Sequence, residues 1–140
     1  MARNHYAVLG LGSFGAKLAV ALARAGNTVL VVDIDQQRVD DLRDKVTEAI
    51  IADVSNEEVV RELNVRKFDA VILGMSSHFE DQVLALTLLK QEGVRKVIVK
   101  ANTTIQERIL FRLGADEVFQ PEQDVAERLA RRLTMDNITD

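Results

Sequence analysis

The strongest constraint on this chain is an alternation. Six short runs rich in Val, Ile, Leu and Ala recur along it: "YAVLG" (6–10), "TVLVVD" (28–33), "EAIIAD" (48–53), "DAVILG" (69–74), "KVIVKA" (96–101) and "EVFQ" (117–120). Most lack polar alternation, so they read as strands covered on both faces. Each is followed by a helical pattern, at 14–25, 36–44, 56–63, 80–92, 104–113 and 123–134. Segment 14–25 is apolar all round. The others offer Val39 and Leu42; Val59, Val60 and Leu63; Val83, Leu84, Leu86, Leu88 and Leu89; Ile105, Ile109, Leu110 and Leu113; and Val125, Leu129 and Leu133. Gly26, Gly93 and Gly114 fall where helices should stop. Six strands alternating with six helices imply parallel strands joined by right-handed crossovers. The expected fold is α/β: one doubly wound, six-stranded parallel sheet in the order 3-2-1-4-5-6, with helices on both faces, over residues 1–140.

Composition narrows the function classes. Apolar residues make up 47% and charged residues 29% of 140 residues, as in a folded globular domain. With no cysteine, disulfides and thiolate metal sites are excluded. A net charge of -4 gives no reason to expect nucleic acid as a partner. No apolar run approaches the ~20 residues that span a bilayer. "MARN" leads at once into strand-like sequence, so no signal peptide is expected.

The turn after the first strand carries the chemistry. Gly10, Gly12 and Gly15 form G-x-G-x-x-G, and the surroundings that give this pattern meaning are all present: a strand before, a helix after, an acid ending the next strand. This is the Rossmann arrangement. Gly10 lets the chain turn sharply, Gly12 lets a pyrophosphate approach the backbone, and Gly15 lets the helix lie close to the sheet. The helix-start N–H groups of Ser13 and Phe14, backed by the helix dipole, would face the phosphates. The alternative is a glycine turn that only makes a tight corner. A P-loop is excluded because Ala16 stands where its lysine belongs, and G-x-S-x-G does not fit around Ser13. Asp33 lies 18 residues after Gly15, where a carboxylate accepts from both ribose hydroxyls. It would repel a 2′-phosphate, and neighbouring Ile34 and Asp35 supply no arginine, so NADP is disfavoured. Asp35 suits a helix cap better than Asp33 does.

Other candidates stand at the remaining strand ends. Asp53 and Val54 would flank an adenine; the alternative is that Asp53 or Ser55 caps 56–63, with Glu58 completing a Ser-x-x-Glu box, and for Ser55 the two readings weigh equally. Gly74, Met75, Ser76 and Ser77 face the phosphates across the crevice. Lys100 and Glu122 stand at neighbouring tips, where the plain alternative is a solvated ion pair. His5 and His78 show no zinc spacing, and His78 suits a surface position at a helix start. No substrate half and no Tyr-x-x-x-Lys pair are visible. Binding without catalysis is expected.

"YAVLGLGSFGAKLAVALARAGNTVLVVDID", "ADVSNEEVVRELNVRKFDAVILGM", "VIVKA" and "LGADEVFQPEQD" together resemble the amino-terminal nucleotide-binding lobe of RCK (KTN, TrkA-N) domains over nearly the whole chain. These are cytoplasmic regulators of Trk/Ktr-type bacterial potassium uptake systems and of some potassium channels. The resemblance implies ATP, ADP or NAD(H) as ligand. It implies homodimers assembling into a higher ring (an octamer), peripheral to the inner face of the membrane through an integral-membrane potassium transporter or channel subunit. It also implies a carboxyl-terminal effector lobe, which residues 1–140 are expected not to include. By the same resemblance Gly10, Gly12 and Gly15 match the phosphate turn, Asp33 the ribose acid, Asp53 and Val54 the adenine side, and Lys100 the lysine after strand five. Glu122 matches a glutamate that helps place Mg²⁺ or another divalent cation at the phosphates. Many Ktr-type members carry arginine where this chain has Ser13. Helix 123–134 is the candidate for crossing to a partner subunit; the other reading is an edge helix covering the sheet. Alternatives outside this class are a detached NAD-binding domain of a dehydrogenase and a redox-sensing NAD(H)-binding module.

Overall fold

The structure is a computed structural model that describes residues 3–75 and 78–139, with side chains described as far as Asp136. Its elements alternate as expected: β1 (His5–Leu9), α1 (Ser13–Arg24), β2 (Thr28–Asp33), α2 (Gln36–Leu42), β3 (Glu48–Ile51), α3 (Glu57–Leu63), β4 (Ala70–Leu73), α4 (Phe79–Gln91), β5 (Val97–Lys100), α5 (Thr104–Arg112), β6 (Glu117–Phe119) and α6 (Pro121–Thr139). A short 3-10 turn, Val65–Lys67, was not anticipated. All strands are parallel in one sheet ordered β3-β2-β1-β4-β5-β6, the predicted order.

The strand runs are uniformly apolar because both sheet faces are covered. Ala7, Leu9, Leu30, Val32, Val71 and Leu73 point into one core with α3, α4 and Leu110 of α5. Val8, Val29, Val31 and Ile72 point into the other, beneath α1 and α2. The strand starts share a local device. Thr47, Asp69 and Asp116 each precede a strand and accept from a backbone N–H at the first or second position of a neighbouring strand: Val29 at 3.0 Å, His5 at 2.8 Å and Val97 at 2.8 Å. The aspartate of "GAD" is thus a register lock between β6 and β5.

Three expectations need correction. First, α3 is capped by Asn56, whose Oδ1 accepts from Glu58 N at 2.9 Å, and not by Asp53 or Ser55. Asp53 instead closes its own turn onto Ser55. Second, Leu84, Ile105, Ile109 and Leu113 are exposed, and α4 and α5 bury Gln82, Ala85, Leu86, Leu89 and Leu110. Third, the alternative reading of α6 as an edge helix covering the sheet is excluded, since its residues 122–136 are all exposed, including Val125, Leu129 and Leu133. It begins at Pro121, whose fixed φ suits a first helical position, and runs longer than the predicted 123–134.

Candidate functional site

The glycine turn is built by contacts that exclude side chains. Gly10 has φ +95°, and a Cβ there would meet Met75 N at 2.6 Å. A Cβ on Gly15 would run into the Gly10 carbonyl oxygen. Gly74, at the end of β4, is a fourth member: its Cβ would meet Gly10 O at 2.8 Å and Gly15 Cα at 3.2 Å. Gly12 differs, with nothing within 4 Å of a built Cβ. Its missing side chain leaves open space over the start of α1.

Among the described residues nothing satisfies that helix start. Gly12 is the N-cap, no side chain caps it and its first turn holds no acid. The first N–H to bond back is that of Ala16, to Gly12 O at 2.9 Å. The N–H groups of Ser13, Phe14 and Gly15 are therefore left without an acceptor among the described residues, at the positive end of the helix dipole. By contrast α2, α3 and α5 are capped by Asp35, Asn56 and Thr103. The cap assigned to Asp35 is borne out.

Asp33 stands beside this turn, 9% exposed. Its Oδ2 accepts from Leu11 N at 2.6 Å and its Oδ1 from Asp35 N at 2.8 Å. Arg38 Nη1 lies 4.0 Å from Asp33, and Arg38 Nε lies 3.9 Å from Asp35. Ile34 and Asp35 supply no arginine, but Arg38, in the first turn of α2, does stand beside Asp33, which the sequence reading did not weigh. It is shared between two carboxylates, so a 2′-phosphate would have to compete with both. The signal was present in the sequence, since a helix capped by Asp35 carries its residue 38 back over the cap.

A cleft of about 360 Å³ runs from Gly10 past Asp33, Ile34 and Arg38 to Asp53 and Val54, with Met75 opposite. Ile34 is 69% exposed at its rim and Val54 is buried in its floor. Asp53 Oδ1 accepts from Ser55 Oγ at 2.6 Å and Ser55 N at 2.9 Å. These bonds hold its carboxyl below the ordinary value, the hydroxyl contributing most. A second cavity of about 210 Å³ shares Gly10, Asp33, Arg38 and Met75 with the first and continues over Gly12 and Ser13 to Lys100. A third, about 330 Å³, shares Lys100 and reaches Glu122 through Asn102 and Gln120.

Lys100 has a defined seat. Its Nζ lies 5.9 Å from the centroid of the Phe14 ring, which packs on Phe119 at 4.8 Å. It makes no ion pair among the described residues, and none with Glu122. The two groups form no ion pair, and the unpaired Lys100 borders the same cavity as Gly12 and Ser13. Glu122 is exposed on the first turn of α6. Among the described residues no group of three or more His, Asp or Glu could hold a metal alone. His78 is exposed at the start of α4, as expected. Ser76 and Ser77 lie outside the described residues. The remaining predicted residues, Gly10, Gly12, Ser13, Phe14, Gly15, Asp33, Ile34, Asp53, Val54, Met75 and Lys100, all border one continuous crevice or the turn that shapes it.

Comparison with known proteins accords with this geometry. The chain is 34% identical to Ktr system potassium uptake protein C of Bacillus subtilis over 138 residues, 99% of this chain and 62% of that protein. It is 38% identical to Ktr system potassium uptake protein A of Vibrio alginolyticus over 130 residues, 93% of this chain and 59% of that protein. It thus spans about three-fifths of the length of these relatives. Among solved structures, the NAD(P)-binding domain of an exopolyphosphatase-related protein from Archaeoglobus fulgidus matches with TM-score 0.82 and 25% identity, covering 95% of this chain and 99% of that one. The model of the TrkA-N domain matches residues 6–121, from the first strand to the start of α6, and the chain belongs to that family.

Proposed function

We propose that this domain is the nucleotide-sensing part of a potassium uptake regulator. It binds ATP/ADP or NAD(H) without catalysis, and nucleotide identity biases the geometry of paired lobes. The observation that carries this reading is the order of groups along one crevice: Asp53 and Val54, Asp33, the open start of α1, then an unpaired Lys100. An adenine, a ribose and a pyrophosphate need those groups in that order. A ligand shifts a conformational equilibrium only through different affinity for its states. Lys100 and the α1 start sit where ATP, ADP and NAD(H) differ, beyond the ribose.

The names of the Ktr relatives support a potassium system as the setting. The domain acts as a homodimer within a higher ring, an octamer, docked on an integral-membrane potassium transporter or channel subunit at the cytoplasmic face. No helix among the described residues is long and apolar enough to cross a membrane. The exposed Val125, Leu129 and Leu133, spaced four apart along α6, offer a stripe for a partner helix. A divalent cation fits at Glu122 only with nucleotide phosphates as co-ligands, since the protein offers one carboxylate there. Mg²⁺ is commonly held in that way.

Thermal unfolding tests the binding. ADP, ATP and NADH should each raise the midpoint, and a hundredfold excess over Kd stabilises by about 2.7 kcal/mol. No shift with any adenine nucleotide at millimolar concentration would contradict it. Potassium flux into vesicles holding the membrane partner tests the regulation. The flux should differ between ATP and ADP; indifference to both contradicts that half.

A further inference from the structure

Gln82 is among the most deeply buried polar side chains described, 1% exposed in the first turn of α4. Its Nε2 donates to the Met75 carbonyl and, at 2.6 Å, to the Lys100 carbonyl. A carboxamide nitrogen has two hydrogens, so both are committed. The two acceptors lie just past the point where the β4–β5 ladder stops, whose last pair is Leu73↔Val99. No β4–β5 backbone pairing extends beyond that pair to hold these strand tips together. Gln82 prolongs the ladder with a side chain.

The tips it joins are the two walls of the crevice. Met75 borders both the ribose cleft and the phosphate cavity, while Lys100 carries the unpaired ammonium. We infer that Gln82 is a positioning residue for the phosphate half of the site. By drawing both carbonyls inward it sets the spacing of the β4 and β5 tips, and so the place of Lys100 over the start of α1. This rests on the nucleotide reading above for its ligand, but the clamp itself does not.

Gln82→Met keeps length and bulk and removes both donors; Gln82→Asn keeps the amide on a shorter arm that reaches at most one carbonyl. The first measurement needs no ligand. Hydrogen exchange at the Gly74 and Ala101 amides, bonded to Leu9 O and Phe119 O, should quicken in Gln82→Met and less in Gln82→Asn. Unchanged exchange in Gln82→Met overturns the clamp. The second is titration calorimetry with adenosine and with ADP. ADP should weaken by about tenfold in Gln82→Met, the scale of one charge-assisted contact, with adenosine nearly unchanged and Gln82→Asn in between. Equal losses for both ligands, or an unchanged ratio, overturn the positioning role. If the unaltered protein fails to bind ADP while Gln82→Met still quickens exchange, the nucleotide reading falls and the clamp stands.

Discussion

Asp33 Oδ2 accepts the Leu11 backbone N–H at 2.6 Å, so the carboxylate that ends β2 is tied to the glycine turn that follows β1. A ribose held by Asp33 and phosphates held by that turn would therefore meet one rigid unit. Asp33→Ala removes the acceptor for both, and should lower stability as well as affinity. Leu11 N would be left buried and unpaired, at a cost of about 1–3 kcal/mol. Chemical denaturation without ligand checks this, and a wild-type midpoint would show the bond to be unimportant.

The glycines of the turn should separate by role. A Gly15→Ala side chain meets backbone at Gly10 O, which cannot move aside cheaply, so a loss of about 1–3 kcal/mol is expected. Gly12→Ala meets nothing within 4 Å at an ordinary φ of -66°, so stability should hold within about 0.5 kcal/mol. Its methyl group would stand where the phosphates approach, and ADP affinity should fall by about tenfold or more. Equal stability of the two variants, or undiminished ADP binding by Gly12→Ala, would contradict these assignments.

How far the sequence was legible follows from the same contrast. Buried parallel strands appear as unbroken apolar runs, so all six were placed within about two residues of their ends. The glycine turn, Asp33 and the Asp35 cap are local and were readable. Arg38 was readable in the same way, one turn beyond the Asp35 cap, whereas Gln82 reaches Lys100, 18 residues further along the chain, and periodicity does not mark it. Asn56 displaced Ser55 as a cap because Asp53 had already engaged the serine. The apolar positions of α5 and α6 were visible, but a helical stripe looks the same whether it covers its own sheet or lies open.

Lys100 should act through phosphate alone. Lys100→Met should weaken ADP by about tenfold and leave adenosine unchanged, with a shallower salt dependence for ADP. A matching loss for adenosine would place Lys100 in the packing around Phe14 instead.

Asp53 supplies the pH dependence. Its carboxyl is held below the ordinary 3.8 by Ser55, so its stabilising share is present above that value and is lost as pH falls through the lowered one. In Ser55→Ala the Asp53 resonance should titrate closer to 3.8, and the stability gap from wild type should narrow below that pH. A gap of constant size down to strong acid would rule out this linkage.

The stripe on α6 should govern assembly. Leu129→Asp and Leu133→Asp alter exposed positions, so the domain's own stability should change by no more than about 0.5 kcal/mol. Size-exclusion chromatography with light scattering should show smaller particles than wild type. An unchanged mass would move the partner surface away from α6.

The central claim is that the crevice holds an adenine nucleotide by ribose and phosphate. Titration calorimetry of ADP and NADH into the wild-type protein and Asp33→Ala tests it most directly, because both ligands present the same ribose. Saturable heat for both, with a parallel loss in Asp33→Ala, is the expected result. No heat from either ligand at millimolar concentration, or binding that ignores the substitution, would contradict it.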